Sequence, residues 1–113
     1  MEIVENKITL KELKEMASKM FGNLVKGVVD VEKGILVIDS ELHSDEEAFL
    51  LNSGSKQENL WGINIYPELD IDERVEFDSM INLRPSQRNN SRGIEDESIQ
   101  KRILDIVNSK IES

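Results

Sequence analysis

The stretch LVKGVVDVEKGILVIDSEL, residues 24–42, is the strongest indicator of the fold of this chain. It contains two runs rich in valine and isoleucine, residues 24–31 and 35–42, which flank the short loop Glu32-Lys33-Gly34. β-Branched residues favour strands, and a glycine that can adopt a positive φ suits the loop between them. The pattern therefore predicts a β-hairpin with a three-residue loop, and with it an antiparallel sheet.

Two further stretches predict the remaining strands. Residues 60–66 form a third apolar run that ends at Pro67, and residues 75–83 form a fourth in which apolar and polar side chains alternate. A polar loop joins the two runs, which predicts a second antiparallel hairpin. The short segment of residues 2–5 could add an edge strand to the same sheet.

Three helices are predicted from their start signals and from apolar periodicity. Thr9-Leu10-Lys11-Glu12 is a capping box that opens a helix ending near Gly22. Ser44-Asp45-Glu46-Glu47 is a second capping box, and it opens a short helix that Asn52-Ser53-Gly54 ends. Asp96 is the expected N-cap of a third helix over residues 97–111, whose apolar side chains recur at helical spacing.

These elements indicate the α+β class, built as a single domain over residues 1–113. A mainly antiparallel sheet of four or five strands would carry two long helices and one short helix, all packed on one face. The alternative is a mixed sheet, in which the short N-terminal strand lies parallel to its neighbour.

Composition and charge argue against several classes of protein. The chain has a formal net charge of -9, from 23 acidic and 14 basic side chains, which disfavours nucleic acid and anionic membranes as partners. No apolar run approaches the roughly 20 residues of a transmembrane helix, and the acidic start of the chain is unlike a secretory signal. There is no cysteine, which excludes disulfides and thiolate metal sites. We therefore expect a cytoplasmic protein. No cofactor is predicted, although a divalent metal ion could bind.

A histidine among carboxylates could bind such a metal ion. If the strand before His43 continued to that residue, a period of two would place Asp39, Glu41 and His43 on one face, with Asp45 just beyond. Glu41, His43 and Asp45 could then hold Mg²⁺, Mn²⁺ or Zn²⁺, or act as an acid–base pair, as in a metal-dependent hydrolase. Helix capping and a solvated strand face use the same residue types, and we favour this simpler interpretation.

The second hairpin suggests a binding surface. Counting by two along its strands places Asn64, Tyr66, Asp78, Asn82 and Arg84 on one polar face of the sheet. That face could form the floor of a site for a small ligand or a partner. An open, concave face would favour a ligand, and a covered face would favour a protein partner or a homodimer.

Three of the five arginines, Arg84, Arg88 and Arg92, lie in the loop of residues 84–94, which has no acidic residue. Guanidinium groups ahead of a helix start could bind a phosphate or carboxylate group. The competing interpretation is that they pair with the chain's surplus carboxylates, since the acidic residues 95–97 compete for the same helix terminus.

Five strings of residues carry a resemblance to a known family. They are DEEA (45–48), GSKQENLWGINIYP (54–67), EFDSMIN (76–82), RPSQ (84–87) and SRG (91–93). Through them the chain resembles, over nearly its whole length, a family of small prokaryotic proteins from bacteria and archaea that is a domain of unknown function. The resemblance implies a cytoplasmic protein of one domain, and it supplies no catalytic residues.

The function that the sequence favours is a small binding or interaction module. Its working surface would be the polar face of the second hairpin together with the arginine loop, and it would bind an anionic small molecule or an acidic protein partner. The chain would be a monomer or a homodimer. A metal-dependent enzyme is the alternative, and a nucleic-acid binder ranks third because of the charge.

Overall fold

A computed structural model describes all residues of the chain, 1–113, and confirms the α+β class. The strands are β1 (Glu2–Val4), β2 (Ile8–Thr9), β3 (Val25–Asp30), β4 (Ile35–Ile38), β5 (Leu60–Ile65), β6 (Val75–Glu76) and β7 (Ile111–Glu112). The α-helices are α1 (Leu10–Lys19), α2 (His43–Asn52) and α3 (Glu97–Lys110). Five strands form one antiparallel sheet in the order β1-β4-β3-β5-β6, and β2 and β7 form a separate parallel pair that the sequence patterns did not predict.

The first hairpin is confirmed, and its turn is one residue longer than predicted. Asp30 pairs with Ile35, so the turn covers residues 31–34. The Asp30 carboxylate accepts from the main-chain amides of Glu32 and Lys33 at 3.0 and 2.9 Å, and Gly34 adopts a φ of 69°. Strand β4 ends at Ile38, four residues before the predicted end, because Asp39 turns the backbone into the left-handed region at a φ of 70°.

The N-terminal edge strand is also confirmed. β1 pairs antiparallel with β4, with Ile3 opposite Val37, so the mixed-sheet alternative was wrong.

The antiparallel pairing of the second hairpin is confirmed between β5 and β6, but the predicted length of its second strand, residues 75–83, was wrong. β6 has only two residues, and the chain then leaves the sheet and forms a 3-10 turn at residues 80–82. A side chain takes the place of the missing strand: the Asn82 amide accepts from Gly62 N at 2.8 Å and donates to Gly62 O at 2.9 Å. Ser79 packs directly over Gly62, where an added Cβ would lie 2.6 Å from the serine side chain. This close approach is available to residues 79–82 because Gly62 has no side chain.

All three predicted helices are present, and local start signals predicted the caps of two of them correctly. The Thr9 capping box is present, and the Asp96 side chain caps α3 by accepting from Ser98 N. The second capping box was wrong, because α2 begins at His43 with Leu42 at its N-cap, and no side chain caps it. The main-chain amides of His43 and Ser44 consequently donate to no acceptor within the protein.

Helices cover both faces of the sheet, contrary to the predicted single face. α1 and α3 pack on one face over the larger apolar core, which includes Leu13, Val29, Trp61 and Ile103. α2 packs on the opposite face through Leu50, over a small apolar cluster with Val28, Val37 and Leu60. Period-two alternation explains the split, since Val28 and Val29 are neighbours in β3 and point to opposite faces. None of the helices combines the length and apolar character that crossing a membrane demands.

Candidate functional site

The face of the sheet beneath α2 is apolar at one end and polar at the other. The buried residues of α2 are His43, Glu46 and Leu50, which share one side of the helix. Leu50 packs on the apolar cluster, so the N-terminal half of α2 brings His43 and Glu46 over the other end of the sheet. Phe49 and Leu51 are exposed instead, which reverses the usual arrangement of a surface helix.

A row of three polar side chains crosses the sheet at this polar end. Lys26 of β3 lies opposite Asn64 of β5, and Asn64 lies opposite Glu76 of β6. The Asn64 amide donates to Glu76 at 2.9 Å and to the carbonyl of Asp78 at 3.2 Å, and the Tyr66 hydroxyl donates to Glu76 at 3.0 Å. Burial, followed by the hydrogen bond to Glu76, raises the pKa of Tyr66. Three predicted site residues, Asn64, Tyr66 and Asp78, therefore do lie together.

A cleft opens beside this row, between the first turn of α2 and residues 79–81, and we name it the α2 cleft. Its volume is about 150 Å³. The lining residues are Lys26, Leu42, His43, Ser44, Ser79, Met80, Ile81 and Arg92. Two cationic side chains and two hydroxyl groups thus meet the uncapped start of a helix.

His43 enters the cleft as a neutral imidazole. Its Nε2 lies 2.7 Å from the carbonyl oxygen of Ile63 and donates to it, which leaves Nδ1 as an acceptor. Only 8% of the residue is exposed. Burial is the main cause that lowers the pKa of His43, and Lys26 adds to this effect, while the main-chain bond to Ile63 and nearby Asp78 and Asn64 act in the opposite direction. The ring is therefore uncharged at neutral pH.

Glu46, one turn further along α2, is fully buried, and neither carboxyl oxygen has a hydrogen-bond partner. Burial raises the pKa of Glu46 to about 9, against the opposing attraction of Lys26 and the N-terminal amino group. Asp39 and Asp45 raise the pKa further. Glu46 is thus a protonated, uncharged acid at neutral pH, and it lies outside the group of residues that lines the α2 cleft.

Arg92 is the only arginine of the predicted loop that reaches the α2 cleft. Its Nε donates to Asp78 at 2.7 Å in an ion pair whose two side chains are both about half exposed. Its main-chain oxygen accepts from Ser79 N at 3.0 Å and from the Asn82 amide at 3.0 Å. These bonds hold Arg92 at the cleft beside the segment that forms one wall.

The other predicted site residues lie elsewhere. Arg84 is buried, stacks over Trp61 at 4.1 Å from the ring centre, and donates to the carbonyls of Gln57 and Leu60; burial lowers its pKa. Asn82 is fully buried against Gly62. Arg88 is exposed and lines a separate depression beside Trp61. The three arginines therefore do not converge on one site.

The residues of the metal hypothesis are not brought together. No group of three or more histidine or carboxylate side chains in the chain could hold a metal ion. The cause is that β4 ends at Ile38, so the period of two does not extend to residues 41–45. In α2 each residue turns by about 100°, so His43 points inward while Asp45 is exposed, and Glu41 is exposed in the loop before the helix. A metal-dependent enzyme thus has no support in the structure.

Sequence reasoning missed Lys26, Ser44, Ser79 and Met80. Lys26 carried a detectable signal, because it is the one basic residue in a run rich in valine, residues 24–31. Ser79 and Met80 carried none, because residues 75–83 were interpreted as a continuous strand, which would place their side chains differently.

A family model described as a protein of unknown function (DUF5674) matches residues 2–110 of the chain. No curated protein matches the chain, and no solved structure matches it.

Proposed function

The chain belongs to the DUF5674 family of proteins of unknown function, and we propose that it is a binding module whose α2 cleft holds the acidic head group of a small molecule. The head group is a phosphate or a carboxylate. The proposal retains Asn64, Tyr66, Asp78 and Arg92 of the residues predicted from sequence and adds Lys26 and the first turn of α2.

One observation carries this proposal: two cationic side chains face main-chain amides that lack acceptors. Lys26, from β3, and Arg92, from the loop of residues 84–94, both line the cleft. The amides of His43, Ser44 and Met80, all lining residues, donate to nothing within the protein. Uncapped amides at a helix start attract anions, and a nearby ammonium or guanidinium group strengthens that attraction.

The charge balance of the cleft favours a small anion. Lys26 forms no ion pair and lies 5.1 Å from the ring centre of Phe21, whereas Asp78 partly offsets Arg92. The chain as a whole carries a net charge of -9, which opposes a large polyanion. A volume of about 150 Å³ holds one head group and is smaller than the roughly 300 Å³ at which drug-sized pockets begin.

The surroundings of the cleft favour a ligand over a protein partner. The polar face is covered mainly by the chain's own α2, and the cleft is its open part. A small-molecule ligand also fits a cytoplasmic location, which we include in the proposal because a cytoplasm supplies phosphorylated and carboxylated metabolites.

Titration with inorganic phosphate and with acetate, followed by amide NMR shifts, tests the proposal. The amides of His43, Ser44 and Met80 should shift and saturate, with a Kd on the order of 1 mM for so small a ligand. Lys26→Gln and Arg92→Gln should each weaken binding about tenfold, since each removes a charge-assisted contact.

Arg88→Gln is the matched control, because Arg88 is an exposed arginine of the same loop that lies outside the cleft. The Arg88→Gln variant should bind phosphate and acetate with the same Kd as the unmodified protein. Absence of saturable shifts at the three amides for both anions would refute the proposed site.

A further inference from the structure

Two large apolar side chains stand in water at the mouth of the α2 cleft. Leu42 is 53% exposed and Met80 is 63% exposed, and both are lining residues. They come from different elements: Leu42 precedes α2, and Met80 begins the 3-10 turn of residues 80–82. An inorganic ion has no apolar part that could cover these two side chains. A ligand with an apolar part could cover them.

Charge around the mouth opposes a second acidic group on the ligand. Asp78 pairs with Arg92, a lining residue of the cleft, and the chain as a whole carries a net charge of -9. A ligand with several phosphates would place its outer charges against Asp78 and in this negative field. The part of the ligand outside the cleft should therefore be uncharged.

We infer that the ligand of the α2 cleft is an amphiphilic anion, with one acidic head group joined to one apolar body that lies on Leu42 and Met80. The inference rests on the proposed function and narrows it to a class of ligand. The head group contacts Lys26, Arg92 and the free amides, and the apolar body covers the two exposed side chains.

The size of the apolar contribution can be bounded. Covering roughly 60 to 80 Å² of apolar surface corresponds to about a ten- to thirtyfold gain in affinity. An aromatic ring attached to the head group should supply a contact of about this size.

Paired ligands measure the contribution of the apolar body to the affinity. Phenyl phosphate is compared with inorganic phosphate, and benzoate with acetate, at pH 8, where a phosphate monoester is a dianion. The pair with the higher affinity shows whether the cleft prefers a phosphate or a carboxylate head group. Within that pair, we expect the ligand with the ring to bind about ten- to thirtyfold more strongly than the simple anion. Met80→Ala and Leu42→Ala should remove most of that gain, measured in each variant as the ratio of the affinity for the ring-bearing anion to the affinity for the simple anion.

Alanine is chosen at position 42 because serine at an N-cap would itself accept from the free amides. Leu83→Ala is the matched control, since Leu83 is an exposed apolar residue next to the same 3-10 turn and lies outside the cleft. The Leu83→Ala variant should keep the full gain in affinity that the ring provides.

The failures of the two proposals are distinguishable. If the simple anions bind at the cleft but the ring adds nothing, or if Met80→Ala and Leu42→Ala both keep the gain, the amphiphile inference is overturned and the anion site stands. If neither simple anion shifts the amides of His43, Ser44 and Met80, the proposed function itself fails.

Discussion

Glu46 is a carboxyl group that is fully buried and has no hydrogen-bond partner. Burial raises its pKa from 4.5 to about 9, so the folded chain keeps a proton that the unfolded chain has lost at neutral pH. A raised pKa contributes stability that is complete below pH 4.5 and is lost as the pH rises towards 9. Glu46 therefore lowers the free energy of unfolding as the pH rises.

Replacing Glu46 by glutamine should remove this pH-dependent loss of stability, because glutamine has nearly the same shape and never ionises. We expect Glu46→Gln to unfold with a free energy about 2 to 3 kcal/mol larger than the unmodified protein at pH 7, with the difference growing by about 1 kcal/mol per pH unit between roughly pH 5 and 8. Urea denaturation at several pH values measures it.

Glu41→Gln is the control, because Glu41 is exposed and close in sequence. It should change stability by less than about 0.5 kcal/mol at every pH. A Glu46→Gln effect that is independent of pH would show that Glu46 is ionised in the folded protein.

At the scale of single residues, sequence reasoning succeeded where the partner lies within a few positions along the chain. Thr9 and Asp96 cap their helices as predicted, because both bond to amides two or three residues away. It failed at Ser44, where the residues that decide the helix start are distant. His43 is drawn inward by its bond to Ile63, 20 residues away, and this starts the helix one residue before the predicted cap.

At the scale of elements, the contact between β5 and residues 79–82 shapes one wall of the α2 cleft. Gly62 permits that contact, because an added Cβ would lie 2.6 Å from Ser79 and 3.1 Å from Ile81. Ser79 also accepts from Ile81 N at 3.3 Å, and both residues line the cleft. The wall therefore depends on a residue that is itself outside the cleft.

Gly62→Ala should push this wall away from the sheet. We expect a loss of about 1 to 3 kcal/mol in the free energy of unfolding, the usual range for overpacking a buried contact. Chemical denaturation measures the loss, and NMR shifts at Ser79 and Met80 should report displacement of the wall.

Two further variants make the prediction specific. Adding Ser79→Gly to Gly62→Ala should recover about 1 kcal/mol relative to the sum of the single changes, because the clashing side chain is then absent. Gly93→Ala is the matched control, since its nearest neighbours would lie at 3.5 and 3.6 Å, and it should cost less than about 0.5 kcal/mol. Equal losses for Gly62→Ala and Gly93→Ala would contradict the close packing described above.

The strand predicted over residues 75–83 shows why elements were harder to predict than caps. Its alternating pattern is genuine for Val75 and Glu76, which do pair with β5. Beyond that point the Asn82 side chain satisfies the amide and carbonyl of Gly62, so a backbone ladder is not needed. Periodicity along one segment does not indicate that a side chain, instead of a strand backbone, will form the hydrogen bonds to a distant residue.

At the scale of the whole molecule, negative charge is the dominant electrostatic feature. The net charge is -9, and the structure contains one ion pair, between Arg92 and Asp78. Most carboxylates therefore repel one another without a close cationic partner, which destabilises the compact state. The repulsion is spread over the surface, where salt screens it.

Stability should accordingly rise with salt. Increasing NaCl from about 20 to 200 mM should raise the free energy of unfolding by up to about 1 kcal/mol, measured by urea denaturation at pH 7. The control is Arg92→Gln, which should respond in the same way if the effect is global, and less if chloride stabilises the fold by binding in the α2 cleft. A fall in stability with salt would show that attractive pairs dominate.

Patterns in the sequence were sufficient to predict the α+β class, the first hairpin, the edge strand β1 and the caps of α1 and α3. Each of these depends on a pattern within one segment, where propensity, periodicity and short-range hydrogen bonds act. Three features became visible only in the folded chain: α2 covers the opposite face of the sheet, residues 79–82 leave the sheet, and Lys26, His43 and Arg92 share a cleft. These features depend on contacts between segments far apart in the chain, and a single segment does not encode which distant side chain will meet it.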